Sequence, residues 1–119
     1  MTQLQCKDRI EQELQERIKD FQTALKLSEK SKDGSFSIDG DDFEDFIEWI
    51  NSYALAYAED PHYRAMRLEL SYGGPQDYFL FFDDGTIEYH FLDWFDGAEI
   101  ILSGKDYEVM EKVKDYLTC

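Results

Sequence analysis

The chain has 119 residues, 43% of them hydrophobic and 16% aromatic, and a formal net charge of -15. That length suits one domain, and the apolar content excludes a disordered acidic tail. Twelve Lys and Arg against 27 Asp and Glu argue against direct nucleic-acid binding and favour a basic partner, or simply solubility.

No apolar run approaches the roughly 18 residues of a membrane span. The segment Met1–Arg9 is polar and lacks the apolar region of a signal peptide. A cytoplasmic protein with no membrane partner is the expectation. Cys6 and Cys119, near opposite ends of the chain, are expected as free thiols rather than a disulfide in a reducing compartment, and their spacing fits no zinc site. No metal and no cofactor is expected.

Charge divides the single domain into three stretches. Residues 1–34 hold seven Lys/Arg and seven Asp/Glu, net zero. Residues 35–62 hold eight Asp/Glu and no Lys or Arg. Residues 63–119 hold five Lys/Arg and twelve Asp/Glu. The acidity therefore begins after residue 34.

Ile10, Leu14, Ile18, Phe21 and Leu25 recur at three- and four-residue spacing and predict a long amphipathic helix ending near Ser28–Asp33. A second helix is predicted from Asp39–Asp42 to Asp60-Pro61, burying Phe43, Phe46, Ile47, Ile50, Ala54 and Tyr57. Its first turns would carry Asp41, Asp42, Glu44, Asp45 and Glu48, where carboxylates suit the positive end of the dipole. The period then becomes two. Strands are predicted at Met66–Tyr72, at Asp77–Phe82 (apolar on both faces, hence central), at Ile87–Leu92 and at Ala98–Leu102. Gly73-Gly74-Pro75 and Asp83-Asp84-Gly85 mark turns, and Asp93–Gly97 an irregular connection, a bulge or a wide turn. Ser103 should cap a last helix through Leu117. The expected fold is α+β: a four-stranded antiparallel meander packed with two N-terminal helices and one C-terminal helix.

Residues 31–42 have the length of an EF-hand calcium loop, with Asp33, Ser35 and Asp39 at ligand positions. Ser31, Phe36 and Asp42 occupy the three most demanding places, where Asp, Gly and Glu belong. A connection between helices explains the segment better. His62 and His90 are each without a paired nucleophile, and no enzymatic activity is expected. The aromatics Tyr78, Phe79, Phe81, Phe82, Tyr89, Phe91, Trp94 and Phe95 lack the basic groove of a base-stacking surface and read as core.

The stretch 35–62 is the distinctive feature. Surfaces tuned only for solubility intersperse both signs. Carboxylates spaced about 5–6 Å apart on a helix face would engage neighbouring Lys and Arg of a nucleic-acid groove.

The segments Leu68–Phe79, with Gly73-Gly74-Pro75, and Tyr89–Ala98, with Asp93-Trp94-Phe95-Asp96-Gly97-Ala98, resemble small proteins encoded by phages and mobile elements. The resemblance covers roughly residues 66–104. With the size and charge, the chain resembles the anti-CRISPR and anti-restriction class. That resemblance implies inhibition of a host defence complex in the host cell cytoplasm and carries over no catalytic residue. Asp41, Asp42, Glu44, Asp45 and Glu48, with Asp93, Asp96 and Glu99, are the expected partner-binding residues. The expected partner is a CRISPR effector complex or another basic nucleic-acid-binding protein. A second reading is a protein–protein interaction module, dimeric through the N-terminal helix. A third is a calcium-responsive domain on the degenerate loop.

Overall fold

The computed structural model describes residues 5–118, so Cys119 lies outside the described residues. Helix α1 (Cys6–Lys30) buries Cys6, Ile10, Leu14, Ile18, Phe21, Leu25 and Ser28 along one stripe, the one its spacing predicts. Cys6 is a free thiol within that stripe. Most charged residues of α1 are exposed, while Arg9 and Arg17 are half-buried against the sheet. The apolar face that dimerisation would need is therefore inside the core.

The stripe lies on a five-stranded antiparallel sheet ordered β3-β4-β5-β6-β7. Its strands are β3 (Ala56–Glu59), β4 (Ala65–Ser71), β5 (Gln76–Phe82), β6 (Ile87–Asp93) and β7 (Asp96–Ile101). The meander thus has one strand more than expected, and β5 is central as its two apolar faces predict. Leu68, Phe79, Phe81, Ile87, Tyr89 and Phe91 face the helices and form the main core. A C-terminal helix, α3 (Gly104–Leu117), adds Val109, Met110 and Val113 to that core. Ser103 is its N-cap residue, but the Ser103 side chain makes no capping bond. The Tyr107 hydroxyl instead donates to the Gly85 carbonyl (2.7 Å) and fastens the helix start to the β5–β6 turn.

The predicted second helix is the main departure. Residues 36–43 form a hairpin, β1 (Phe36–Ile38) with β2 (Asp41–Phe43), in which Ile38 pairs Asp41. Asp39 and Gly40 make its two-residue turn, with φ of 52° and 84°. Positive φ at both central residues defines the hairpin turn that Asp-Gly favours. That local preference outweighs the helical spacing of the apolar residues. Helix α2 is confined to Phe46–Tyr53, and Asp45 caps it by accepting from the Glu48 amide (2.8 Å). Glu48 in turn accepts from the Glu44 amide (2.8 Å). The residues beyond Ala54 turn extended and pair with β4, so Tyr57 faces Leu68 across a strand register.

One buried carboxylate joins the layers. Asp77 on β5 accepts from Arg17 Nε (2.8 Å) and Nη2 (3.0 Å) at mid-α1. It also accepts from the Tyr89 hydroxyl (2.6 Å) and the Ser71 hydroxyl (2.5 Å). Arg17 Nη1 donates to the Tyr53 hydroxyl of α2 (2.9 Å), which donates to Asp20 (2.6 Å). Burial lowers the Arg17 pKa, but the bonds to Asp77 and Tyr53 outweigh it and hold the guanidinium above its ordinary value. Burial and the bond to Asp77 push the Tyr89 phenol up. Removing one partner of such a pair strands the other charge. Asp77→Ala should therefore lower stability by about 3–5 kcal/mol, read as a fall in the urea midpoint.

Candidate functional site

The eight expected partner-binding carboxylates fall in three places: five at the hairpin and start of α2, Asp93 and Asp96 at the start of α1, and Glu99 beside His90. Asp41 and Asp42 lie on β2, Glu44 and Asp45 in the bend before α2, and Glu48 in its first turn. They do not share one helix face. All five are exposed, as is Asp39 at the turn. The hairpin holds them rigidly: Ser37 donates its hydroxyl to Asp42, and Asp45 and Glu48 are fixed by α2 capping. None of the six takes part in an ion pair among the described residues. In the preceding turn Asp33 accepts from the Ser35 hydroxyl (2.6 Å), the Ser35 amide (3.0 Å) and the Ser31 hydroxyl (2.9 Å). Those bonds hold its carboxyl down at about 2. The segment read as a degenerate calcium loop is therefore a serine-capped turn leading into a hairpin.

Asp93 and Asp96 do other work. Arg9 Nη1 pairs with Asp93 Oδ2 (2.6 Å), and the Cys6 amide donates to Asp96 Oδ2 (2.7 Å). Asp96 thus sits on the first amides of α1, where the helix dipole favours an anion. The Cys6 amide keeps its carboxyl below the usual range. Both residues fasten the start of α1 to the β6–β7 hairpin. The acidic hairpin lies at the other end of the helix, where Ser28 donates to the Gly34 carbonyl (3.1 Å). At 1.5 Å per residue, α1 itself is about 36 Å long.

Glu99 belongs to the sheet face turned away from the helices. There Arg67 lies 4.0 Å over the Tyr78 ring, and His90 stacks on Tyr78 at 5.0 Å between centroids. His90 Nε2 is 2.9 Å from Glu88 and Nδ1 is 3.6 Å from Glu99. The two carboxylates flank opposite ring nitrogens, an arrangement that clamps the imidazole between them. Arg67 is held by Asp60 (2.7 Å), whose carboxylate also accepts from the His62 (2.8 Å) and Tyr63 (3.1 Å) amides. Burial raises the Asp60 pKa, but the amide bonds and Arg67 outweigh it, and the carboxyl lies below its ordinary value.

Trp94 and Phe95 are not core. Asp93 pairs Asp96 directly, so the connection is a tight two-residue turn rather than a bulge or wide loop. Trp94 and Phe95 occupy it with φ of 51° and 63°. Trp94 is 78% exposed and Phe95 fully so. Across from them Tyr72, 76% exposed, stands at the β4–β5 turn beside Gly73 and Gly74. An open cleft of about 470 Å³ separates the two hairpin tips. The sequence reading takes Trp94 and Phe95 as core because they continue the aromatic run, and Tyr72 as the end of a half-buried strand. The signal was present in Asp93 and Asp96, which bracket exactly two residues.

No protein family, no curated protein and no solved structure matches this chain.

Bulky residues with positive φ store about 1–3 kcal/mol each. Replacing Trp94-Phe95 by Asn-Gly, the pair this turn prefers, should raise stability by about 1–3 kcal/mol, seen as a higher melting temperature. Because the Asp60 carboxyl is depressed on folding, its contribution is present above its unfolded pKa of about 3.9 and is lost as pH falls through the folded value. The stability gap between the native chain and Asp60→Asn should be full at pH 6 and close as the pH falls below about 4, measured by urea unfolding across pH.

Proposed function

We propose that this chain is a non-enzymatic inhibitor of a CRISPR or related nucleic-acid-targeting defence complex. It acts by presenting the acidic hairpin and the start of α2 to a basic nucleic-acid groove. One observation carries the reading: Asp39, Asp41, Asp42, Glu44, Asp45 and Glu48 crowd ten consecutive residues, all are exposed, and no described ion pair neutralises them. Duplex DNA presents one charge per about 1.7 Å of axis. Six carboxylates on a hairpin and one helical turn make a patch of a single sign. The α1 face, by contrast, mixes both signs and is net neutral to residue 34. A uniform solubility coat would not be divided in this way. The defence target follows from the resemblance of the two turn segments to small proteins of phages and mobile elements.

The hairpin group is the part of the expected set that best supports this reading. Asp93 and Asp96 hold α1 in place and Glu99 faces His90, so none of the three adds to the hairpin patch. The binding set is the hairpin group, with Asp39 added to the residues expected from sequence. Binding is competitive with nucleic acid and weakens with salt.

The test is DNA cleavage by a panel of CRISPR effectors and restriction nucleases, with and without the protein. Inhibition of one of them should fall as target DNA or salt increases. Asp41→Lys, Asp42→Lys, Glu44→Lys and Glu48→Gln combined should reduce that inhibition by about 100-fold or more while the far-ultraviolet dichroism stays native. Asp45 is left in place because it caps α2. Full inhibition by the folded variant would exclude charge mimicry by this surface.

A further inference from the structure

We propose that the cleft between the β4–β5 and β6–β7 tips is a second docking site, taking an arginine side chain of a basic protein against Tyr72, Trp94 and Phe95. The site lies at the opposite end of α1 from the acidic hairpin and does not rest on the function proposed for that hairpin.

Three independent observations meet there. The first is exposure: Tyr72, Trp94 and Phe95 are among the most exposed large apolar side chains of the described residues, and they stand around one concavity. Single exposed aromatics need no explanation, but a concave group of them marks an interaction surface. The second is backbone strain. The chain makes two turns of the same kind, with positive φ at both central residues. Asp39-Gly40 fills one with residues that tolerate it; Trp94-Phe95 fills the other with residues that do not. No intramolecular ring contact of Trp94 or Phe95 explains that choice among the described residues. Strain of this sort collects where a side chain must be presented outward.

The third observation is charge, and it selects the occupant. The cleft of about 470 Å³ is lined by aromatic faces, by Gly73 and Gly74, and by Asp93 and Asp96. No Lys or Arg lines it. Arg9 already pairs with Asp93 (2.6 Å), so a guest guanidinium is attracted to the ring faces together with Asp96, which accepts the Cys6 amide and takes part in no described ion pair. The protein already uses this chemistry internally: Arg9 lies over Phe91 (4.8 Å), Arg17 over Tyr53 (5.4 Å) and Arg67 over Tyr78 (4.0 Å). An anionic ligand or membrane would meet the repulsion of a chain with net charge -15.

The experiment is a titration of the isotopically labelled full chain with the peptide Gly-Arg-Gly-Arg-Gly, followed by amide and indole resonances. A control peptide carries citrulline, which has the shape of arginine without its charge. The expected result is a saturable shift of the Trp94 indole and of the Gly73 and Gly74 amides, about tenfold weaker with citrulline. Trp94→Asn with Phe95→Gly, a turn-compatible variant, should lose about tenfold in affinity, and Tyr72→Ser should weaken it in the same direction. The tip shifts should persist when Asp41, Asp42, Glu44 and Glu48 are neutralised to Asn and Gln, which separates this site from the hairpin. Shifts confined to residues 39–48, or undiminished binding by both tip variants, overturn the proposal. So do shifts of Trp94 produced by phosphatidylcholine vesicles alone, which would make the tip a lipid anchor, or by protein concentration alone, which would make it a self-association surface.

Discussion

The fastening of α1 to the sheet is the constraint on which everything else depends. The helix brings one apolar stripe, but a stripe alone lets a helix slide or rotate on a flat sheet. Three carboxylates remove that freedom. Asp96 receives the Cys6 amide at the start, Asp93 receives Arg9 one turn later, and Asp77 receives Arg17 in the middle. The last pair is the most buried and the most connected. Through Tyr53 it also fixes α2, so two helices and three strands share one hydrogen-bonded centre. Buried polar networks of this kind are costly when incomplete and specify one arrangement when complete.

That arrangement decides where charge and apolar surface are left over. The outer face of α1 mixes both signs, and the far sheet face ties Arg67 and His90 into carboxylates. Two regions stand out among the described residues, one toward each end of the long helix. One is a hairpin with carboxylates and no cation. The other is a pair of turns carrying three exposed aromatics. The molecule measures 49 × 35 × 27 Å and carries different chemistry toward each end of α1.

The two turns with positive φ show how stability and function separate. Asp39-Gly40 satisfies its backbone and projects carboxylates from the flanking strand. Trp94-Phe95 accepts strain to project rings into water. Selection for stability alone favours the first solution in both places.

The sequence by itself determined the long first helix, the central strand, the hairpin at Asp83–Gly85 and the division of charge after residue 34. Each rests on a local rule, either a repeat of 3.6 or 2 residues or a turn preference, that tertiary contacts did not oppose. The segment 39–57 was misread because its apolar residues fit helical spacing, while the Asp39-Gly40 turn and pairing with β4 overrode that spacing. Only the tertiary structure decided the roles of the carboxylates. Asp93 and Asp96 look like the hairpin acids in sequence, yet a helix start 84 to 90 residues away holds them. The same holds for Trp94 and Phe95, whose exposure depends on a two-residue turn closing between those acids. Burial and pairing are properties of long-range neighbours, and no local pattern encodes who those neighbours will be.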